Sequence, residues 1–438
     1  MRTSAGSPSR PHGRVVRSAL LLALVLIPGF LPGMPAALSG PGAAWAADGA
    51  FGTLRALLHP AVIAAGMLYL GLRVIRPLRV SPPAKAALLI AAALFLGRVY
   101  VTRQIYLIWQ YELPRTLHVG WCILQLALCI FLLLLAASDI LAPLLRRLRR
   151  TASGTEVPDR RAGPGLRAGL FAAALSLAAF GCFSALRVPP VTPQEIVVPG
   201  LPAAWDGLTV AHLSDLHVSK TFPASWLAEV VRKVNAAKPD LVVITGDIFD
   251  GDPKQSIDEL RPLRDLRAPL GVHACLGNHE YYADLRRWGP LLAELGPRIL
   301  QNEHIVLRRN GAELILAGVT DSAAAAYRLP PPDIGKALRG ASPELPLLLL
   351  AHRPALADQV RRLSRPGATL QLSGHTHAGQ IIGLAEIIKY LNKGYLNGLY
   401  ALGDMRLHVS PGTALSSSYP FRLGVPSSDI PLLTLRAP

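Results

Sequence analysis

Cysteine is scarce: the 438 residues hold four, Cys122, Cys129, Cys182 and Cys275. There is no CxxC pair, and three of the four lie in strongly apolar runs. Neither a cysteine metal site nor a disulfide framework can be built from them, so they read as small buried hydrophobes. Three catalytic signatures are also missing: a Walker-type phosphate loop, a GxSxG elbow and an HExxH helix. Their absence argues against P-loop nucleotide hydrolysis, the α/β-hydrolase nucleophile and the zincin site. Acidic residues are nearly absent from one half. Residues 1–189 carry 20 Lys and Arg against 5 Asp and Glu, whereas residues 190–438 carry 25 against 23. The net charge of +17 therefore belongs to the apolar half, where arginine-rich loops set membrane orientation. No nucleic-acid partner is expected.

Five apolar stretches fill that half. The first, Ser18 to about Pro35, follows Arg2, Arg10, Arg14 and Arg17 and precedes an Ala44-Trp45-Ala46 sequence. Residues 1–47 are thus either a cleaved signal peptide or a first transmembrane helix. Residues 48–189 hold four more stretches, Leu57–Ile75, Ala86–Val101, Val119–Ala137 and Ala168–Leu186, most of them near the ~20 residues needed to span a bilayer. Arg98 interrupts the second, and little other charge lies inside them. Arg73, Arg76, Arg79 and Lys85 form one basic loop, and Arg146, Arg147, Arg149, Arg150, Arg160, Arg161 and Arg167 another. Both belong on the cytoplasmic side, with Tyr106, Trp109 and Tyr111 in the opposite interface belt. Counting through predicts a multi-pass protein of the cell (inner) membrane, with everything after Leu186 extracytoplasmic. Residues 190–204, rich in Pro and Val, read as a linker.

From residue 205 the pattern changes. Short apolar runs at Leu208–Leu213, Leu241–Thr245, Val272–Leu276, Glu313–Val319, Leu345–Ala351, Thr369–Ser373, Arg406–Ser410 and Pro431–Leu435 predict strands. Ala224–Ala237, Ser256–Leu266, Asp284–Leu295 and Pro354–Leu363 predict helices between them. Alternation of this kind predicts an α/β domain, and the strand-rich end favours two stacked sheets with outer helices.

Five polar clusters each follow a predicted strand, where α/β sheets place their sites. They are Asp215-Leu216-His217, Gly246-Asp247-Ile248-Phe249-Asp250, Gly277-Asn278-His279-Glu280, His352, and Gly374-His375-Thr376-His377. Singly, each is compatible with a turn or a structural histidine. Jointly, carboxylates, imidazoles and an amide at five strand ends suit two divalent cations of the Mn, Fe or Zn type. Such a pair clamps the attacking and leaving oxygens of an in-line displacement. Asp250 is either a support for a ligand or a capping loop carboxylate. His212 reads as a packed core histidine, His273 and His304 as structural, and Asp321 as an ordinary loop residue first, with a place on the site rim as the lesser alternative.

The ordered series DxH, GDxxD, GNHE, H and GHxH resembles the calcineurin-like metallophosphoesterase family over residues 205–438. Gly374–Ile382, Gly394–Tyr400 and Ser410–Thr413 resemble its bacterial membrane-associated phosphodiesterase branch. The resemblance implies an α/β fold, a four-layer α-β-β-α sandwich, here preceded by an all-α transmembrane region. It implies that Asp215, His217 and His377 hold one metal, that Asn278, His352 and His375 hold the other, and that Asp247 bridges them. A hydroxide between the metals would attack phosphorus, with His279 as general acid. The expected activity is that of a membrane-anchored phosphoesterase, a phosphodiesterase first, with a phospholipid or other lipid-linked ester as an extension. The alternative is a metal-binding sensor or accessory module of a membrane protein.

Overall fold

The computed structural model describes residues 61–97, 113–153, 163–250, 253–282, 294–363, 365–367 and 369–438, with Leu285 and Leu292 singly. The first apolar stretch, the Ala44-Trp45-Ala46 sequence, Arg98 and the aromatics Tyr106, Trp109 and Tyr111 lie outside these residues, as does most of the helix expected over Asp284–Leu295. Two compact units are present, one built on helices before residue 181, the other chiefly on residues 181–438.

The helical unit contains α1 (Ala61–Ile75), α2 (Pro82–Leu96), α3 (Arg115–Ser153) and α4 (Pro164–Leu186). The Arg115–Pro143 part of α3 and the whole of α4 are long and apolar enough to cross a membrane, while α1 and α2 are shorter apolar helices. The second helix runs earlier than the Ala86–Val101 expected, because Ser81-Pro82 starts it with proline in the first turn. Tyr69, Leu70, Phe131, Leu132 and Leu135 share one buried cluster. Arg73 was expected in a basic loop. It is in the last turn of α1, 13% exposed, where its guanidinium pairs with Asp139, a carboxylate that also accepts from the Tyr69 hydroxyl at 2.7 Å. A paired charge therefore sits inside helices that the sequence reading had left almost free of charge.

The second unit holds two six-stranded sheets. The first runs β1-β12-β2-β3-β4-β5 and the second β10-β11-β9-β8-β7-β6. Their strands are β1 (Val191–Val197), β2 (Thr209–Leu213), β3 (Leu241–Thr245), β4 (Val272–Cys275), β5 (Arg298–Ile299), β6 (Glu303–Arg309), β7 (Ala312–Gly318), β8 (Leu347–Leu350), β9 (Thr369–Ser373), β10 (Gly398–Leu402), β11 (Met405–Val409) and β12 (Ile430–Arg436). In the first sheet β2, β3, β4 and β5 are parallel neighbours; in the second β7, β8, β9 and β11 are. Strands buried on both faces must be apolar throughout, and β3 and β8 are (Leu-Val-Val-Ile-Thr, Leu-Leu-Leu-Leu).

Alternation then divides each strand between two cores. Leu241 and Val243 of β3 join Leu348 and Leu350 of β8 in a cluster shared by the two sheets. Val242 and Ile244 face the other way, onto Leu227, Val230 and Val234 of α5 (Ala224–Ala236). Leu347 and Leu349 pack with Ile334 of α8 (Ile334–Ala337) and Val360 of α9 (Ala357–Arg361). Two further helices, α6 (Pro253–Leu260) and α7 (Asn278–Tyr282), follow β3 and β4.

The stretch expected to be a linker, 190–204, instead contains β1, which pairs in parallel with β12 at the sheet edge. Its β-branched residues suit a strand, and Pro193 is tolerated because an edge strand leaves one row of amides unpaired. Strands β6 and β7 form a hairpin through Asn310-Gly311, both at positive φ (52° and 78°), the geometry that an Asn-Gly turn supplies.

Candidate metal centre

Parallel strands deliver the expected clusters to one rim. Asp215 follows β2, Asp247 follows β3, Asn278 follows β4, His352 follows β8 and His375 follows β9. Turning sharply at these ends requires unusual backbone. Asp215, His217, Asp247, His375 and His377 all have positive φ, between 44° and 73°, a region uncommon for non-glycine residues and most accessible to Asp, Asn and His. Close approach requires the motif glycines. A Cβ on Gly277 would lie 2.2 Å from Asp247 Oδ1, and one on Gly374 would lie 2.2 Å from Asp215 Oδ2.

The side chains converge into three overlapping groups: Asp215, His217 and His377; His217, Asp247 and His279; and Asp247, His352 and His375. Within each group the ligand atoms lie within 4.8 Å of one another. Asp247 Oδ2 is common ground, 3.3 Å from His352 Nε2, 3.7 Å from His217 Nε2 and 3.8 Å from His279 Nε2. His352 Nε2 is also 3.1 Å from Asn278 Oδ1 and 3.2 Å from His375 Nδ1. His377 Nε2 is 3.7 Å from Asp215 Oδ1. All seven expected ligands and His279 are therefore brought together, and the structure disperses none of them.

The remaining edges of these groups are tied down. His352 Nδ1 donates to the Thr245 carbonyl at 2.8 Å, which turns its Nε2 toward the centre. Burial opposes the imidazolium there, but Asp247 outweighs it and raises the group to about 10 until a cation displaces the Nε2 proton. Asp250 accepts from His217 Nδ1 at 2.9 Å and from His279 Nδ1, and its other oxygen accepts from the Ser417 amide. Of its two sequence readings, the support for a ligand is the one the geometry matches. His212, expected in the core, is buried, and its ring contacts Thr245 Oγ1 and His408 Nδ1. His304 Nδ1 bonds the Ala337 carbonyl and His273 Nε2 the Leu270 carbonyl, both structural as expected.

The electrostatics follow from burial and neighbours. Burial alone would raise the Asp247 carboxyl, but the charges of His352, His279 and His217 hold it well below the usual carboxylate range. Asp250 is held down in the same way by His217 and His279. Burial opposes the His279 imidazolium, yet Asp247 and Asp250 outweigh it and raise the group to about 9. Burial pulls His377 down to about 4 and His375 well below its ordinary value. At neutral pH the two carboxylates are charged and these last two imidazoles are neutral, the forms in which they donate to a cation.

A matching family model, calcineurin-like phosphoesterase, covers residues 208–379. A metallophosphoesterase of Bacillus subtilis is 31% identical over 54% of this chain and 82% of its own length. The chain belongs to the calcineurin-like phosphoesterase family. A bovine "Transmembrane protein with metallophosphoesterase domain" is 38% identical over 60% of this chain and 61% of its own length. A zebrafish protein of the same description is 39% identical over 54% and 55%. The chain thus spans little more than half the length of these two relatives.

The residues of this calcineurin-like phosphoesterase fit divalent cations on two structural grounds. His217 Nε2, 3.7 Å from Asp247 Oδ2, is buried without a hydrogen-bond partner, which is costly unless something else takes its lone pair. The 3.1–3.3 Å separations around His352 Nε2 match the edges of a coordination polyhedron with bonds of about 2.1 Å, roughly 3.0–3.4 Å.

Three contributors to the site escaped the sequence reading. Glu280 accepts the amides of Gly277, Asp247 and Ile248 at 2.6, 3.1 and 2.7 Å, so one buried carboxylate shapes two ligand loops. Buried Arg422 donates to the carbonyls of His377, Pro411 and Pro426. Arg353 bonds Asp321, for which a place on the rim was the lesser of two readings. The glutamate was visible within GNHE; the two arginines carried no local signal.

Proposed function

We propose that this chain is a membrane-anchored two-metal phosphoesterase, most simply a phosphodiesterase of the membrane-associated branch. The observation that carries the reading is the convergence of the seven assigned side chains into overlapping groups that share Asp247 and His217, with the buried His217 Nε2 left without a hydrogen-bond partner. Asp215, His217 and His377 are assigned to one cation, Asn278, His352 and His375 to the other, and Asp247 to both. Two divalent cations of the Mn, Fe or Zn type would supply Lewis-acid polarisation of the phosphoryl group and a lowered pKa for water.

The chain's own residues do the rest. Asp250 fixes the Nδ1–H edges of His217 and His279, which aims both Nε2 atoms at the centre. His279, protonated through Asp247 and Asp250, is placed to give its Nε2 proton to the departing oxygen, which would otherwise leave as an alkoxide. Glu280 and the motif glycines hold the ligand loops in register.

The helices Arg115–Pro143 and Pro164–Leu186, together with the transmembrane descriptions of the bovine and zebrafish relatives, support a multi-pass anchor in the cell membrane. The basic clusters favour an extracytoplasmic catalytic unit, and we read that unit as the four-layer α-β-β-α sandwich. It begins at about residue 190 rather than 205, since β1 is part of it. Only Arg187–Pro190 separates α4 from β1, which supports a substrate at the lipid surface.

The test is full-length protein in detergent with added Mn²⁺, wild type against Asp247→Asn, over monoesters, diesters and phospholipids. Hydrolysis by wild type with loss of metal and activity in the variant is expected. A metal-loaded wild type inert on the whole panel would sink the reading, and a C-terminal reporter active only in the cytoplasm would sink the orientation.

A further inference from the structure

Asp321 stands just beyond β7, on the same rim as the ligands. Its carboxylate is 1% exposed and accepts the Ala323 amide at 2.8 Å, which caps the turn Ser322–Tyr327. Both of its oxygens also accept from Arg353 Nε, at 3.1 and 2.9 Å. The guanidinium is thus gripped by its inner edge. Among the described residues no hydrogen bond uses its two η nitrogens, and the side chain is 33% exposed. Arg353 directly follows the assigned ligand His352, just beyond β8, and its guanidinium has four N–H donors to spare.

A buried carboxylate that fixes one edge of an arginine is a means of orienting it. The open edge is then a planar fork matched to two oxygens of a phosphoryl group. We propose that Arg353 is the anion-binding residue of this site and takes the non-bridging oxygens of the phosphoester through its η nitrogens, with Asp321 as the positioning residue. The inference rests on the phosphoesterase reading but names a contact that the ligand motifs do not contain. The capped turn continues through Tyr327, whose ring is 6.4 Å from that of Tyr282, itself 5.5 Å from His279. The rim from Asp321 round to the general acid is one connected wall.

Binding of inorganic phosphate separates this contact from turnover. Full-length wild type, Arg353→Ala, Arg353→Lys and Asp321→Asn, each loaded with Mn²⁺ and its metal content measured, are titrated with phosphate by calorimetry. Arg353→Ala is expected to bind phosphate about tenfold or more weakly at unchanged metal content, the loss that follows from one charge-assisted pair. Arg353→Lys should fall between, because it keeps the charge and loses the fork. Asp321→Asn should raise KM for a phosphoester more than it lowers kcat. Phosphate affinity within twofold of wild type in Arg353→Ala overturns the proposal. So does a parallel loss of Mn²⁺ in both arginine variants, which would make the residue a support for His352. A wild type that binds phosphate but hydrolyses no ester sinks the enzymatic reading and leaves the Arg353 comparison standing.

Discussion

Nδ1 of His217 lies 2.9 Å from Oδ1 of Asp250. An ionised carboxylate only accepts, so the imidazole must carry its proton there and present the Nε2 lone pair to the centre. The same oxygen accepts from His279 Nδ1, which turns that ring's Nε2, protonated below about 9, toward the centre. Asp250→Ala is therefore expected to lower metal affinity or kcat by about 10–100-fold, the usual cost of losing an outer partner of a ligand. Metal titration with parallel kinetics checks it; unchanged values would show that the two rings are oriented by packing alone.

The assignment of His279 as acid predicts an alkaline limb in the rate. In the free site its imidazolium is raised to about 9 by Asp247 and Asp250 against the pull of burial. The acid form is present below that value and lost above it. Cations bound at Asp247 offset part of that carboxylate's field, so the limb in the loaded enzyme should fall below 9. His279→Gln should lower kcat by about 10²–10⁴-fold and flatten the limb. A pH profile that keeps its alkaline fall in this variant would reassign the acid.

Acid should weaken the metal-free fold by a separate route. His408 on β11 is buried against His212 on β2, Nδ1 to Nδ1 3.1 Å, and burial depresses His408 to about 4. The unfolded chain, with an ordinary value near 6.5, then binds more protons than the native one between about 6.5 and 4. Stability must fall as pH falls through that window, by up to about 1.4 kcal/mol per pH unit for each such histidine. His408→Gln should show a shallower acid slope in denaturant melts, and an identical slope would contradict it.

Steric closure at Gly277 gives a fourth test. Its missing Cβ would overlap Asp247 Oδ1, so Gly277→Ala should empty the centre while far-UV circular dichroism stays near that of wild type. Full metal occupancy in this variant would show that the Asp247 loop can shift without harm.

The buried strands were legible because each carries a short apolar face, continuous in Leu241–Thr245 and alternating in Thr369–Ser373. Leu241–Thr245 and Thr369–Ser373 have the bounds expected from the sequence, and the other runs differ by a few residues. Edge strands were not. β6 reads Glu-His-Ile-Val-Leu-Arg-Arg, too mixed in polarity for an apolar-run criterion, although Asn310-Gly311 announced its hairpin. β1 looked like a linker because its pairing partner, β12, lies more than 230 residues on.

The site followed the same division. Ligands grouped in short motifs at strand ends could be read locally. Arg353 with Asp321, and Arg422 with His377, pair across 32 and 45 residues, and a motif records nothing about such distances. Asp250 could be noticed but not decided, since its role depends on two imidazoles 33 and 29 residues away.

The donors come from both sheets. Asp215, His217, Asp247 and Asn278 follow strands of the first sheet, and His352, His375 and His377 follow strands of the second. If both assigned cations bind there, each would act as a rivet through two plates. Sliding one sheet over the other must shear its coordination bonds before it disturbs the leucines behind. A chelator should consequently loosen both sheets, so that slow-exchanging amides far from the rim, in β3 and β8, become labile together.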